Sequence, residues 1–168
     1  MPTFYETASV DQPTETTVRV RRSFKAPRDL VYRAHVEPKL LQRWCVGMPG
    51  WSMPVCEMDV RVGGKYLWRW RRDEGGEGFG FHGEFRDVDR PEQLAFTQFF
   101  DPGDVGGDMG EGCLIRNTFE ERDGVTTMTS LMDFYTKEAC DAAVATGMTD
   151  GMELSYARLD EICAETMA

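Results

Sequence analysis

The chain has 168 residues, 41% hydrophobic and 29% charged, with a formal net charge of −10. That length fits one domain with a core of its own, and the apolar fraction excludes a wholly disordered chain. The acidic balance repels phosphate backbones and anionic lipid surfaces, so nucleic acid and membranes are not expected partners.

Residues 1–15 show no basic start followed by an apolar run, so they do not read as a secretory leader and are expected to be loosely held. Residues 16–24, TTVRVRRSF, alternate polar and apolar positions, which predicts a strand with one wet side. Val18, Val20, Arg22 and Phe24 share its other face. KAPRDLVYRAH then turns helical, with Pro27 at the first position, where a missing N–H costs nothing. Pro38 restarts the pattern after Glu37, and Leu40, Leu41 and Trp44 form a second apolar stripe. Two short helices joined at Glu37 and Pro38 follow from this.

Strand-like runs occupy 54–62, 65–72, 78–88, 94–100, 113–121 and 125–134. Gly63-Gly64, Asp73 to Gly76, Asp89 to Glu92 and Asp123-Gly124 part them, and such short links imply antiparallel hairpins. Residues 101–112, DPGDVGGDMGEG, are too acidic and Gly-rich to pack, and are expected as a mobile loop bordering a ligand mouth. After Tyr135 the period returns to helical. Thr136 can cap a helix whose first turns hold Glu138 and Asp141, and Thr146-Gly147 breaks it. The last helix is predicted over 148–166, with Met148, Met152, Tyr156 or Ser155, Leu159, and Ile162 or Cys163 along one stripe. No repeat or linker divides the chain, so one domain is expected over 16–168.

The order strand, two short helices, six strands and long helix defines an α+β fold. A twisted antiparallel sheet must bury one face, and the C-terminal helix is the obvious cover.

Five cysteines, Cys45, Cys56, Cys113, Cys140 and Cys163, form no CxxC pair and read as small core residues of a reducing compartment. His35 and His82, the only histidines, stand at no ligand spacing from a cysteine, so neither a metal site nor a cofactor is expected. No run of about 20 apolar residues spans a membrane, and the expected location is the cytoplasm.

Five stretches in this order resemble one family. They are FKAPRDLVYRAHVEPKLLQRW, MDVRVGGKYLW, FHGEFRDVDRPEQLAFT, NTFEERDGVTTMTSLMDF and TKEACDAAVATGMTDGMELSYARLDEI. The chain is identified by them as resembling the AHSA1-like branch of the SRPBCC/START-like (Bet v 1-like) superfamily, over about Thr16 to Glu165. The resemblance implies a helix-grip fold, a curved sheet wrapped around a long C-terminal helix. It also implies a small apolar ligand, of lipid, polyketide or aromatic type, held between the two. Function on a widely used fold has to be argued from the site.

Strand alternation then gives the inward set. Tyr66, Trp68 and Trp70 share one face of their strand, followed by Phe79, Phe81 and Phe85, by Leu94, Phe96 and Gln98, by Ile115, Asn117 and Phe119, and by Met128, Ser130 and Met132. Facing them stand Met148, Met152 and Tyr156, flexible and bulky enough to suit varied apolar partners. Gln98, Asn117, Ser130 and Tyr156 are the polar groups that could orient a ligand. Trp44, Trp51 and Met53 could line the entrance, and Trp44 capping the core is at least as strong a reading. For each aromatic, plain core packing is the competing reading.

No catalytic residue is assigned. Glu57, Asp59, Glu84 and His82 alternate onto the solvent face, and two histidines assemble no Ser-His-Asp set. Two alternatives remain: a cyclase- or hydrolase-like step with Tyr156 or Arg116 polarising a carbonyl, and a chaperone-interaction module of the Hsp90 type. The second needs an exposed complementary patch, which the sequence does not mark. A homodimer stands open beside a monomer.

Overall fold

The computed structural model of the chain describes residues 3–46, 49–76, 78–101 and 112–167. Its elements run β1 (Ser9–Asp11), β2 (Thr17–Phe24), α1 (Arg28–Val36), α2 (Pro38–Trp44), β3 (Trp51–Met58), β4 (Lys65–Arg72), β5 (Gly78–Asp89), β6 (Gln93–Asp101), β7 (Cys113–Arg122), β8 (Val125–Asp133), α3 (Lys137–Ala145) and α4 (Met148–Met167). The strands form one antiparallel sheet in the order β1-β2-β8-β7-β6-β5-β4-β3. The helices cover one face of it. This is the expected α+β helix-grip architecture, with α4 as the gripped helix.

Local chemistry sets the element ends. Pro27 caps α1 and Pro38 opens α2, so the chain turns between two helices without stranding an N–H. Thr136 accepts a hydrogen bond from Ala139 N at 3.1 Å, as a cap should. Gly147, at φ +76°, ends α3 in the left-handed region, and α4 starts at the next residue.

Two differences from the sequence reading stand out. The strand expected over 54–62 is β3, Trp51–Met58, an edge strand broken by a register shift between Ser52 and Val55 beside Pro54. Residues 59–64 make a tight turn instead, with Asp59 N bonded to Lys65 O at 2.9 Å. The sequence reading also did not mark β1, which pairs with β2 and is tied to it by the Arg19–Asp11 ion pair. From 102 to 111, the expected Gly-rich loop lies outside the described residues.

The core lies between the concave sheet face and α1, α2 and α4. Val18, Val20 and Phe24 from β2, Phe119 from β7 and Met128 from β8 pack there against Val31, Tyr32, Leu159 and Ile162. The buried stripe of α4 is Ser155, Tyr156, Leu159, Ile162 and Cys163.

Candidate functional site

Alternation along β4 turns Tyr66, Trp68 and Trp70 inward, each under one-tenth exposed. Their rings chain together, Tyr66 to Trp68 at 4.3 Å and Trp68 to Trp70 at 6.4 Å between centroids. Phe96 of β6 meets Tyr66 at 5.5 Å and Trp68 at 5.8 Å. Trp70 stacks on Phe79 at 5.4 Å and meets Phe81 edge-on at 5.6 Å. The result is an aromatic wall across β4, β5 and β6. Its Tyr66 and Phe96 end is buried, and its Phe79 and Phe81 end is half-buried. Gly83 makes room for it, because a Cβ there would stand 1.9 Å from Thr97 O and 2.9 Å from the Tyr66 ring. Tyr66 thereby crosses the neighbouring strand and donates its hydroxyl to Thr97 O at 2.6 Å.

Polar atoms on this face are mostly satisfied by backbone. Trp70 Nε1 donates to Cys45 O at 2.6 Å, and Trp44 Nε1 donates to Ala34 O at 2.8 Å. Two are not: Trp68 Nε1 and Asn117 Oδ1 are buried with no hydrogen-bond partner. Ser130 is buried directly across the strand pair from Asn117. Gln98 is half-buried, as are Met148 and Met152, which pack on the core from the first turns of α4.

The expected site residues therefore divide. Tyr66, Trp68, Trp70, Phe81, Phe96 and Gln98 belong to the wall, and Asn117 and Ser130 continue the same face on β7 and β8. Trp44, Met128 and Tyr156 belong to the core beneath α1 and α2, where Tyr156 stacks on Trp44 at 6.0 Å and meets Phe24 at 5.9 Å. Trp44 and Met53 could have lined the entrance, but they are only 3% and 4% exposed, which for Trp44 is the core-capping alternative. The indole bond to Ala34 and the Gln42 Nε2 bond to Met53 O hold that region closed. Only Trp51 of that trio is half-buried at the rim, edge-on to Phe79 at 5.4 Å. Arg116 cannot polarise a carbonyl inside. It alternates onto the outer face and pairs with Asp87 at 3.5 Å. Burial pushes the Tyr156 hydroxyl well above the usual tyrosine range, so it stays neutral. His82 stacks on Phe99 of the outer face, away from the wall.

Sequence reasoning passed over Arg22. It is 3% exposed, yet its guanidinium is saturated: Nε and Nη2 bond both oxygens of Glu153 at 3.0 and 3.2 Å, Nη2 bonds Asp160 at 2.8 Å, and Nη1 bonds Ser23 O at 2.9 Å. Burial pulls the Arg22 pKa down, but these carboxylates outweigh it and leave it raised. Glu153 also accepts from Ala8 N at 2.6 Å, so one cluster clamps α4, β2 and the N-terminal segment together. The available signal was a charged residue on the face of β2 shared with Val18 and Val20.

Two surface clefts lie away from the wall. One, of ≈ 490 Å³, sits outside the β4–β5 hairpin along Ser52, Arg71 and Arg72. The other, of ≈ 230 Å³, lies beside Arg22, Lys25 and Asp160. Among the described residues, no group of three or more His, Cys, Asp and Glu side chains could hold a metal ion, and no helix is long and apolar enough to cross a membrane.

Sheet, gripped helix and inward aromatic face together define a helix-grip protein. The family described as Activator of Hsp90 ATPase homolog 1-like protein matches residues 25–164, and the chain belongs to it. Its fold is similar to that of a protein from Rhodobacter sphaeroides, with a TM-score of 0.83 and 25% identity over 94% of this chain and 98% of that one. A protein from Mycobacterium smegmatis gives 0.81 and 23% identity over 93% and 96%. An AHSA1-like protein from Aeromonas hydrophila gives 0.64 and 19% over 82% and 90%; likeness at such identities concerns the fold. No curated protein is similar enough to the chain to match it.

Proposed function

We propose that this protein binds a small apolar molecule between the aromatic wall and the first turns of α4. The observation that carries the reading is the wall itself, an apolar face that runs without interruption from buried Tyr66 to half-buried Phe79 and Phe81. Ligand sites are mostly apolar with a few placed polar groups, and this face has that make-up. In this reading Met148 and Met152, half-buried against the core at the start of α4, form the cover, and methionine repacks readily around varied shapes. Gly147 and Gly151 flank this turn, and neither has a neighbour within 4 Å of an added Cβ. Admission of the ligand displaces this weakly held part of α4, while the Arg22 clamp holds the remainder. The five free cysteines suit a reducing cytoplasm.

The test is native mass spectrometry of freshly purified protein, followed by a thermal-shift screen against fatty acids, flavonoids and polyketides. A ligand at about 100 times its Kd adds roughly 2.7 kcal/mol to the folded state. A co-purified mass or such a shift is the expected outcome. Neither, across all three classes, overturns the reading.

A further inference from the structure

We infer that residues 8–12 form a brace across the α3–α4 turn that gates the ligand site, so that a molecule is admitted and released only when this segment lifts. The inference rests on the ligand-binding reading above and specifies how that site is regulated.

The N-terminal segment touches both sides of the turn. Ala8 N donates to Glu153 Oε1 of α4 at 2.6 Å, and Gln12 Nε2 donates to the thiol sulfur of Cys140 of α3 at 3.4 Å. Cys140 is buried, alone among the residues of α3, and Glu153 follows directly on Met152. Between the two contact points the chain holds Gly147, Met148, Gly151 and Met152, the stretch that an entering molecule displaces. Extended backbone advances about 3.3 Å per residue, so the four steps from Ala8 to Gln12 reach roughly 13 Å, enough to tie one helix to the other.

The brace is rooted in the sheet. Ser9, Val10 and Asp11 pair with Arg21, Val20 and Arg19 of β2, and the Asp11 carboxylate pairs with Arg19 and, at 3.8 Å, with Arg21. Nearer the N-terminus, Tyr5 N donates to Ser23 Oγ at 3.0 Å and Ser23 N donates to Tyr5 O at 2.8 Å. The turn itself packs loosely: Val144 is 42% exposed, and a Cβ added at Gly147 or Gly151 would meet nothing within 4 Å. Of the two ties, the Ala8 bond is the stronger, because its acceptor is a carboxylate and a thiol sulfur accepts weakly. Lifting the brace strands no buried charge, since Arg22 keeps its bonds to both oxygens of Glu153. The segment can therefore open as a lid does, by a local event that leaves the sheet folded.

A gate that must open for entry and for exit scales both rate constants alike and leaves Kd where it was, because it favours neither the free nor the loaded state. A segment that merely supports the fold, once removed, loosens every element together.

The chain without residues 1–8 is compared with the full chain in two measurements. Stopped-flow fluorescence follows association and dissociation of 2-acetylnaphthalene, a flat neutral probe. Hydrogen exchange without probe follows the amides of 145–152, with 155–166 as reference. A bond to a carboxylate is worth about tenfold in an equilibrium, so both rate constants should rise about tenfold at unchanged Kd. Exchange over 145–152 should quicken by a like factor while 155–166 holds. Should the shortened chain not fold, Ala8→Pro removes the same N–H by one substitution and is read in the same way. Unchanged exchange over 145–152, exchange that quickens equally over 155–166, or a rise in one rate constant alone overturns the inference and leaves the apolar site standing. Failure of the probe to bind the full chain overturns the gate together with the reading it rests on.

Discussion

Arg22 sits in an environment that its residue type seldom occupies. A buried guanidinium is tolerated only with its partners in place, and removing one partner of a buried ion pair costs several kcal/mol. Glu153→Ala is expected to lower stability by roughly 3 kcal/mol in chemical denaturation. Asp160→Asn should cost less, because Asp160 makes one bond and is 43% exposed. A loss for Glu153→Ala indistinguishable from zero would mean that the clamp does not hold α4. His35 is the second residue of this kind. It is buried between Trp44 and Phe119, and Nδ1 donates to Val31 O at 2.8 Å. Burial, only partly offset by that bond, pushes its pKa down from 6.5 to about 4. The unfolded chain therefore takes up a proton first. The stabilisation from neutral His35 is whole above pH 6.5 and is lost as pH falls toward 4, at up to about 1.4 kcal/mol per unit. Asp160, whose pKa burial raises, works in the opposite direction near its own range. The control is therefore His35→Phe, which should flatten the drop between pH 6.5 and 4 in urea melts; an unchanged slope would assign the acid sensitivity elsewhere. Sequence alone placed the wall residues correctly, because alternation fixes which way a strand residue points. It could not tell Trp68 from Trp70, because that difference lies in which carbonyl each indole reaches across the fold.

At the scale of elements, α4 divides at its second turn. From Glu153 onward the Arg22 clamp and then the buried stripe fix it, while Met148 and Met152 are half-buried around Gly151. Gly within a helix costs about 1 kcal/mol against Ala, and at Gly151 an added methyl has open space. Gly151→Ala is thus expected to raise stability by about 0.5–1 kcal/mol and to slow ligand uptake measured by stopped-flow fluorescence. Faster or unchanged uptake would show that this turn is not the cover. Element types were legible throughout, since the switch from period 3.6 to period 2 and back is plain in the sequence. Boundaries slipped where tertiary contacts decide. β1 has three residues and exists through its pairing with β2, and β3 begins ahead of Pro54 because edge position lets a proline stay in a strand.

Across the whole molecule, the sheet order follows from hairpins between neighbours, with β2 joined to β8 to complete the sheet. That much was readable from seven predicted strands and a long helix. Whether the inward aromatics only fill the core or also receive a guest was not readable, because it depends on how closely α4 approaches the wall, which no local pattern encodes. The most direct test of the account is therefore one that locates the guest. With ¹³C-labelled methionine methyl groups, the protein is titrated with 2-acetylnaphthalene and the spectra are followed to saturation. The account predicts that the Met148 and Met152 methyl signals shift together along one binding curve, while Met167 at the exposed end of α4 stays in place. A shift confined to Met167, or no shift at any methyl, would contradict a site between the aromatic wall and α4.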